Sequence, residues 1–247
     1  MSDPMTPVSQ LSAAPMSRQP KTLIAPWWHT ILLIAIIVGF SIFGGQFLAR
    51  LSIRPSRVQM YIAMLCFDLS LFVYVWLLGL RPHEVRIREI IGGSWNRFGD
   101  FLIDLAVAFL FWTVVIAALA VVRYFVRYSG IDVARQILPR SVPEFMMFLV
   151  VSVTAGFCEE FIFRGYLQRQ FLTLTGRAWI AISVQALLFG IAHLYQGWRG
   201  VVAITVYGAL FGVLAWRRNS LRPGMMQHTA QDSLLGIVGM LTRHKMV

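Results

Sequence analysis

The stretch FMMFLVVSVTAGFCEEFIFR places Glu159, Glu160 and Arg164 at the end of an otherwise apolar run. Downstream, SVQALLFGIAHLY sets His193 four residues after Phe189, and MMQHTAQDSLLGIVGM sets Asp232 four after His228. A charge at the centre of a membrane helix costs about 2.5–3.5 kcal/mol on insertion scales, so these groups need partners or a use. On an α-helix Arg164 lies about 40° from Glu160 but about 140° from Glu159. Arg164 therefore neutralises Glu160 and leaves Glu159 free to act as a general base. The plainer alternative is a charge pair that fastens two helices, and either histidine alone reads as a core or pore-lining residue. Together, two glutamates, an arginine, two histidines and an aspartate on three apolar helices make a kit for activating water beside a polarised carbonyl.

The elements that must position these groups are membrane helices. The chain has 247 residues, 57% of them apolar and 13% charged, with a mean hydropathy of +0.67, which is too apolar for an ordinary soluble domain. Runs of the length a bilayer requires recur at residues 27–49, 58–80, 101–125, 143–174, 178–194, 201–216 and 225–241. The predicted fold class is all-α: a polytopic integral membrane helical bundle of about seven transmembrane helices, with a polar cavity among the last four. Residues 1–26, with five prolines and much Ser, Thr and Gln, read as a disordered polar tail. Residues 27–142 read as three amino-terminal membrane helices with an amphipathic connection over 81–100, and residues 143–247 as the catalytic core.

The formal charge of +11 comes from 22 Lys and Arg against 11 Asp and Glu, with the cations gathered in short connections. That pattern suits lipid headgroups and topology and lacks the continuous basic face of a nucleic-acid binder. Cys66 and Cys158 lie in apolar runs and suggest no disulfide framework. Cys158 as a nucleophile is the weaker reading, since a small polarizable residue in a membrane helix is more often filler. Asp68, in MLCFDLSLF, is expected to make a helix contact, with a place in the cavity as the alternative. His29, His83 and His244 fall at interfaces, in loops or in the tail and are given no chemistry.

The ordered triple of EExxxR (Glu159, Glu160, Arg164), FxxxH (Phe189, His193) and HxxxD (His228, Asp232) resembles the CPBP family, also called Abi. This family comprises the CAAX prenyl endopeptidases and bacterial relatives linked to bacteriocin processing and self-immunity. The resemblance spans about residues 143–242; the first three spans match only in being hydrophobic. It implies an intramembrane endopeptidase in which Glu159 takes a proton from water, His193 holds that water, and Glu160 with Arg164 supports them. His228 and Asp232 then face the carbonyl oxygen of the scissile peptide, Asp232 standing where many members carry Asn. Phe189 packs beside His193.

The favoured mechanism requires no cofactor. The alternative is a divalent metal such as zinc held by Glu159, His193 and His228, which the absence of a local HExxH spacing weakly disfavours. The expected partners are a membrane-associated peptide or protein substrate and the lipid bilayer, with no nucleic acid, and the expected location is the plasma membrane of a bacterium. Two further readings are a non-catalytic membrane scaffold or self-immunity protein that binds a peptide without cleaving it, and a proton-coupled transporter, which the lack of a repeat between the two halves disfavours.

Overall fold

The computed structural model describes residues 23–50, 55–127 and 136–242. These residues form helices and no strand, in keeping with a backbone that must satisfy its own polar groups in lipid. Helix α1 covers Trp27–Arg50 and α2 covers Arg57–Tyr74, the latter opened by a capping box between Ser56 and Gln59 and continued as a π-helical turn, Val75–Leu80. The short α3, Ile87–Ile91, and the long α4, Phe98–Val126, follow.

Helix α5, Val142–Glu159, starts where Ser141 accepts a hydrogen bond from the Glu144 amide, with Pro143 in the first turn. It runs on without a break through a π-helical segment, Glu160–Leu167, into α6, Gln168–Thr175, which ends at Gly176 in the left-handed region. Helices α7 (Ala178–Ala192), α8 (Gly197–Arg218) and α9 (Arg222–Thr242) complete the order.

Four segments among the described residues are long and apolar enough to cross a membrane: Arg57–His83, Phe98–Val126, Val142–Thr175 and Leu194–Arg218. Trp27–Phe43 and Ala178–Ala192 are shorter apolar helices. Helices thus form at all seven expected positions, but fewer have the expected apolar length. The last, α9, gives its first turns to Gln227, His228, Gln231 and Asp232.

Helix α5 packs between α2 and α9, α8 packs along α7, and α4 lies against α8 and α9. All eight residues of the π segment are buried. Phe161, Ile162, Phe163, Tyr166 and Leu167 join Phe189, Tyr207 and Phe211 in the main hydrophobic cluster. Large apolar side chains such as Phe109, Leu110, Leu187 and Val213 stay exposed along the outer faces, as expected of surfaces solvated by lipid. Close helix crossings rest on small residues. A Cβ on Gly156 of α5 would collide with Thr229 Oγ1 and come within 2.9 Å of the Thr229 amide nitrogen of α9.

Two expectations change. The tail lies outside the described residues as far as residue 22, but Ile24 and Ala25 are buried rather than loose. The Ile24 amide donates to Gln170 Oε1 and Gln170 Nε2 donates to the Ala25 carbonyl, both at 2.8 Å. His29 is also fully buried, bonded through Nδ1 to the Tyr166 hydroxyl at 2.8 Å and stacked on Tyr74 at 4.3 Å. A polar network of α6 thus receives the start of α1, and burial away from water forces these groups to pair. His244 lies outside the described residues.

The amphipathic connection holds the expected short element. The side chain of Ile90 in α3 is buried, and Arg169 donates to the carbonyls of Glu89 and Ile90, each at 2.8 Å. Beyond α3, Gly92 pairs with Ser220 and accepts from Arg222 Nε at 3.1 Å. Asp104 of α4 holds Arg218 at 3.0 Å and accepts from Trp95 Nε1 at 2.9 Å. These contacts tie one end of the bundle together near the turn that leads into α9.

Candidate active site

Glu159 closes α5 and Glu160 opens the π segment, whose wider turn brings residues four apart closer to eclipse than an α-helix does. Arg164 Nη1 accordingly lies 3.2 Å from Glu160 Oε1, with both side chains sealed from solvent. The guanidinium nitrogens make no directed hydrogen bond, so this is a charge contact rather than a bidentate fork. The guanidinium also lies over Phe189, 4.1 Å from the ring centroid, and 5.3 Å from that of Phe211. Phe189 therefore does more than pack beside His193, since its ring face carries the buried cation.

The pairing that spacing could not show runs between α5 and α9. His228 Nδ1 lies 3.2 Å from Glu160 Oε1, the oxygen that also meets Arg164. An ionised carboxylate only accepts, so the imidazole donates from Nδ1. Its other nitrogen, Nε2, sits 3.7 Å from Glu159 Oε2 and 3.6 Å from Asp232 Oδ2. His228 thus stands among three carboxylates. Glu159 is not the unaccompanied acid expected from α-helical angles. It faces His228 because the ring of a residue on the neighbouring helix reaches both glutamates. Gly224, one turn before His228, leaves room for this approach: a Cβ there would sit 3.2 Å from Glu160 Oε2.

His193 ends α7, and its Nδ1 donates to the Phe189 carbonyl at 2.9 Å. That bond assigns the proton to Nδ1 in the neutral ring and leaves Nε2 with a lone pair. His193 lies within electrostatic reach of His228 and Arg164. The six residues singled out from the sequence are therefore brought into one neighbourhood. Asp68 joins them from α2, within electrostatic reach of Glu159, His228 and Cys158. Its sequence signal was a lone acid in an apolar span, and only the packing of α2 on α5 shows which charged groups it meets. Cys158 is buried in the hydrophobic cluster.

Among the described residues, no three or more His, Cys, Asp or Glu side chains are arranged to hold a metal ion.

A search of curated proteins and a search of solved structures each found no match. A family model does match: residues 141–234 fit the type II CAAX prenyl endopeptidase Rce1-like family. The match begins at the Ser141 cap of α5 and ends two residues beyond Asp232, so it contains Glu159, Glu160, Arg164, His193, His228 and Asp232. Residues 141–234 are therefore similar to the type II CAAX prenyl endopeptidase Rce1-like family, and they lie in a chain with four helices, among the described residues, long and apolar enough to cross a membrane.

Proposed function

We propose that this protein is an intramembrane endopeptidase that hydrolyses a peptide bond of a membrane-associated substrate through a water activated by Glu159. The observation that carries this reading is the convergence on His228 of Glu160 at Nδ1 and of Glu159 and Asp232 at Nε2. A charge pair that merely fastened helices would need Glu160 and Arg164 alone. Here two more acids and a second histidine surround the same point, which favours catalysis over a peptide-binding scaffold.

In this reading the attacking water lies between Glu159 and the free Nε2 of His193, giving one hydrogen bond to each. As its oxygen bonds to the carbonyl carbon, its proton passes to Glu159 and negative charge develops on the carbonyl oxygen. Protonated His228 donates toward that charge, held in orientation by Glu160 and Asp232. Glu159 then returns the proton to the amide nitrogen, the C–N bond breaks, and an amine and a carboxylic acid leave. Arg164 acts through Glu160 as a positioning residue, and no step of this reading is routed through a metal. The family's name points to prenylated CAAX chain ends as the first substrate class to try.

The test is mass spectrometry of prenylated and unprenylated membrane peptides incubated with the full chain in liposomes. Glu159→Gln keeps the shape and removes the base, so it is expected to abolish cleavage while its melting temperature stays near wild type. Retention of activity within a few-fold would remove Glu159 as the base.

A further inference from the structure

Tyr207, on α8, belongs to none of the three motifs. Its ring is fixed in an aromatic wall, stacked on Phe211 at 4.4 Å and nearly parallel to Phe189 at 6.3 Å. The edge of that wall meets the His228 ring at 5.7 Å and 73°. The residue is 6% exposed, and its hydroxyl is buried with no hydrogen-bond partner. Phenylalanine would keep every ring contact without that burden, and a buried unmet donor is unfavourable enough to need an explanation.

The surroundings of the hydroxyl supply one. The charged groups it feels are those of the site: Asp232 foremost, then Glu160, Arg164 and Glu159. Hydrolysis there requires donors aimed at the carbonyl oxygen as it becomes an oxyanion, and the other donors nearby each face a carboxylate, a carbonyl or an aromatic ring. His193 Nδ1 is bonded to the Phe189 carbonyl, His228 Nδ1 faces Glu160, and Arg164 is held between Glu160 and two phenyl rings. His228 Nε2 is shared between two carboxylates. The phenol is a neutral donor with no such commitment, on a ring that cannot swing away.

We propose that Tyr207 is a catalytic residue whose hydroxyl donates a hydrogen bond to the oxyanion of the tetrahedral intermediate, beside His228. The proposal rests on the endopeptidase reading above. No bond to Tyr207 is made or broken beyond the hydrogen bond, and its proton stays on the phenol oxygen.

The test compares wild type, Glu159→Gln and Tyr207→Phe in liposomes, using the peptide from the mixture that the wild type cleaves fastest. It measures kcat and KM separately, together with melting temperature and the affinity for a phosphinate analogue of that peptide, whose tetrahedral anion mimics the intermediate. Loss of one oxyanion donor lowers kcat by about 100-fold. The expected result for Tyr207→Phe is such a fall with KM within about twofold, the phosphinate weakened by a similar factor, and no loss of melting temperature. If wild type cleaves and Glu159→Gln does not, while Tyr207→Phe keeps kcat within about threefold, the protease reading stands and the Tyr207 proposal falls. A loss that appears in KM, or that tracks a lower melting temperature, likewise makes Tyr207 structural. A wild type that cleaves no peptide overturns the endopeptidase reading and this proposal with it.

Discussion

Replacing Arg164 with alanine strands Glu160 in a site that holds both side chains at essentially zero exposure. Removing one partner of a buried ion pair destabilises by about 3–5 kcal/mol. Two observations place Arg164→Ala near the lower end. The contact with Glu160 is not a directed hydrogen bond, and His228 Nδ1 remains 3.2 Å from the same oxygen. The lost guanidinium stacking on Phe189 adds about 1–2 kcal/mol, for a total of about 4–5 kcal/mol. In the Glu160→Gln, Arg164→Ala double variant no charge is stranded, and the stacking loss and a weakened amide contact to His228 leave about 2 kcal/mol. The double variant is therefore expected to be about 2–3 kcal/mol more stable than Arg164→Ala alone, although it carries one more substitution. Reversible unfolding of the single and double variants in mixed micelles measures this coupling. Equal or greater instability of the double variant would show that the two side chains do not share their energy, and the reasoning from the π segment would fail with it.

Further outcomes follow from other contacts. Asp232→Ala removes an acid 3.6 Å from His228 Nε2 and should lower kcat/KM by at least about tenfold, or about 1.4 kcal/mol. Asp232→Asn, which keeps a polar group there, should lose less, and full activity in both would take Asp232 out of the site. Gly156→Leu drives a side chain into Thr229 where α5 crosses α9 and should destabilise by about 1–3 kcal/mol, with activity falling further because the glutamates and His228 sit on those two helices. Wild-type kcat in that variant would contradict the crossing. Gln170→Leu unpairs the Ile24 amide and the Ala25 carbonyl and should lower stability by about 1–3 kcal/mol while leaving kcat of the folded protein unchanged. A large fall in kcat at unchanged melting temperature would assign Gln170 to the chemistry.

Hydropathy and local spacing determined much of this protein. Lipid offers the backbone no hydrogen bonds, so apolar runs of sufficient length had to become helices, and the unbroken helix through CEEFIFR followed from the absence of any Pro between Pro143 and Gly176. The Glu160 to Arg164 contact was legible because it joins residues four apart on one helix. So was the membership of Glu159, His193, His228 and Asp232 in one site, through the order of three motifs. Contacts between helices distant in sequence were decided only by the tertiary structure. Glu160 meets His228 across 68 residues, a distance at which spacing carries no angular information. Single-helix angles paired Arg164 with Glu160 but could not show His228 beside Glu159, because that ring comes from α9. His29 looked interfacial because its neighbours are tryptophans, yet Tyr166 and Tyr74 from other helices enclose it. Asp68 and Tyr207 carried no motif at all, and their relation to the site arises from the packing of α2 on α5 and of α8 against the start of α9. Local sequence sets which backbone forms, whereas which side chains share a low-dielectric cavity depends on helix contacts that no single helix encodes.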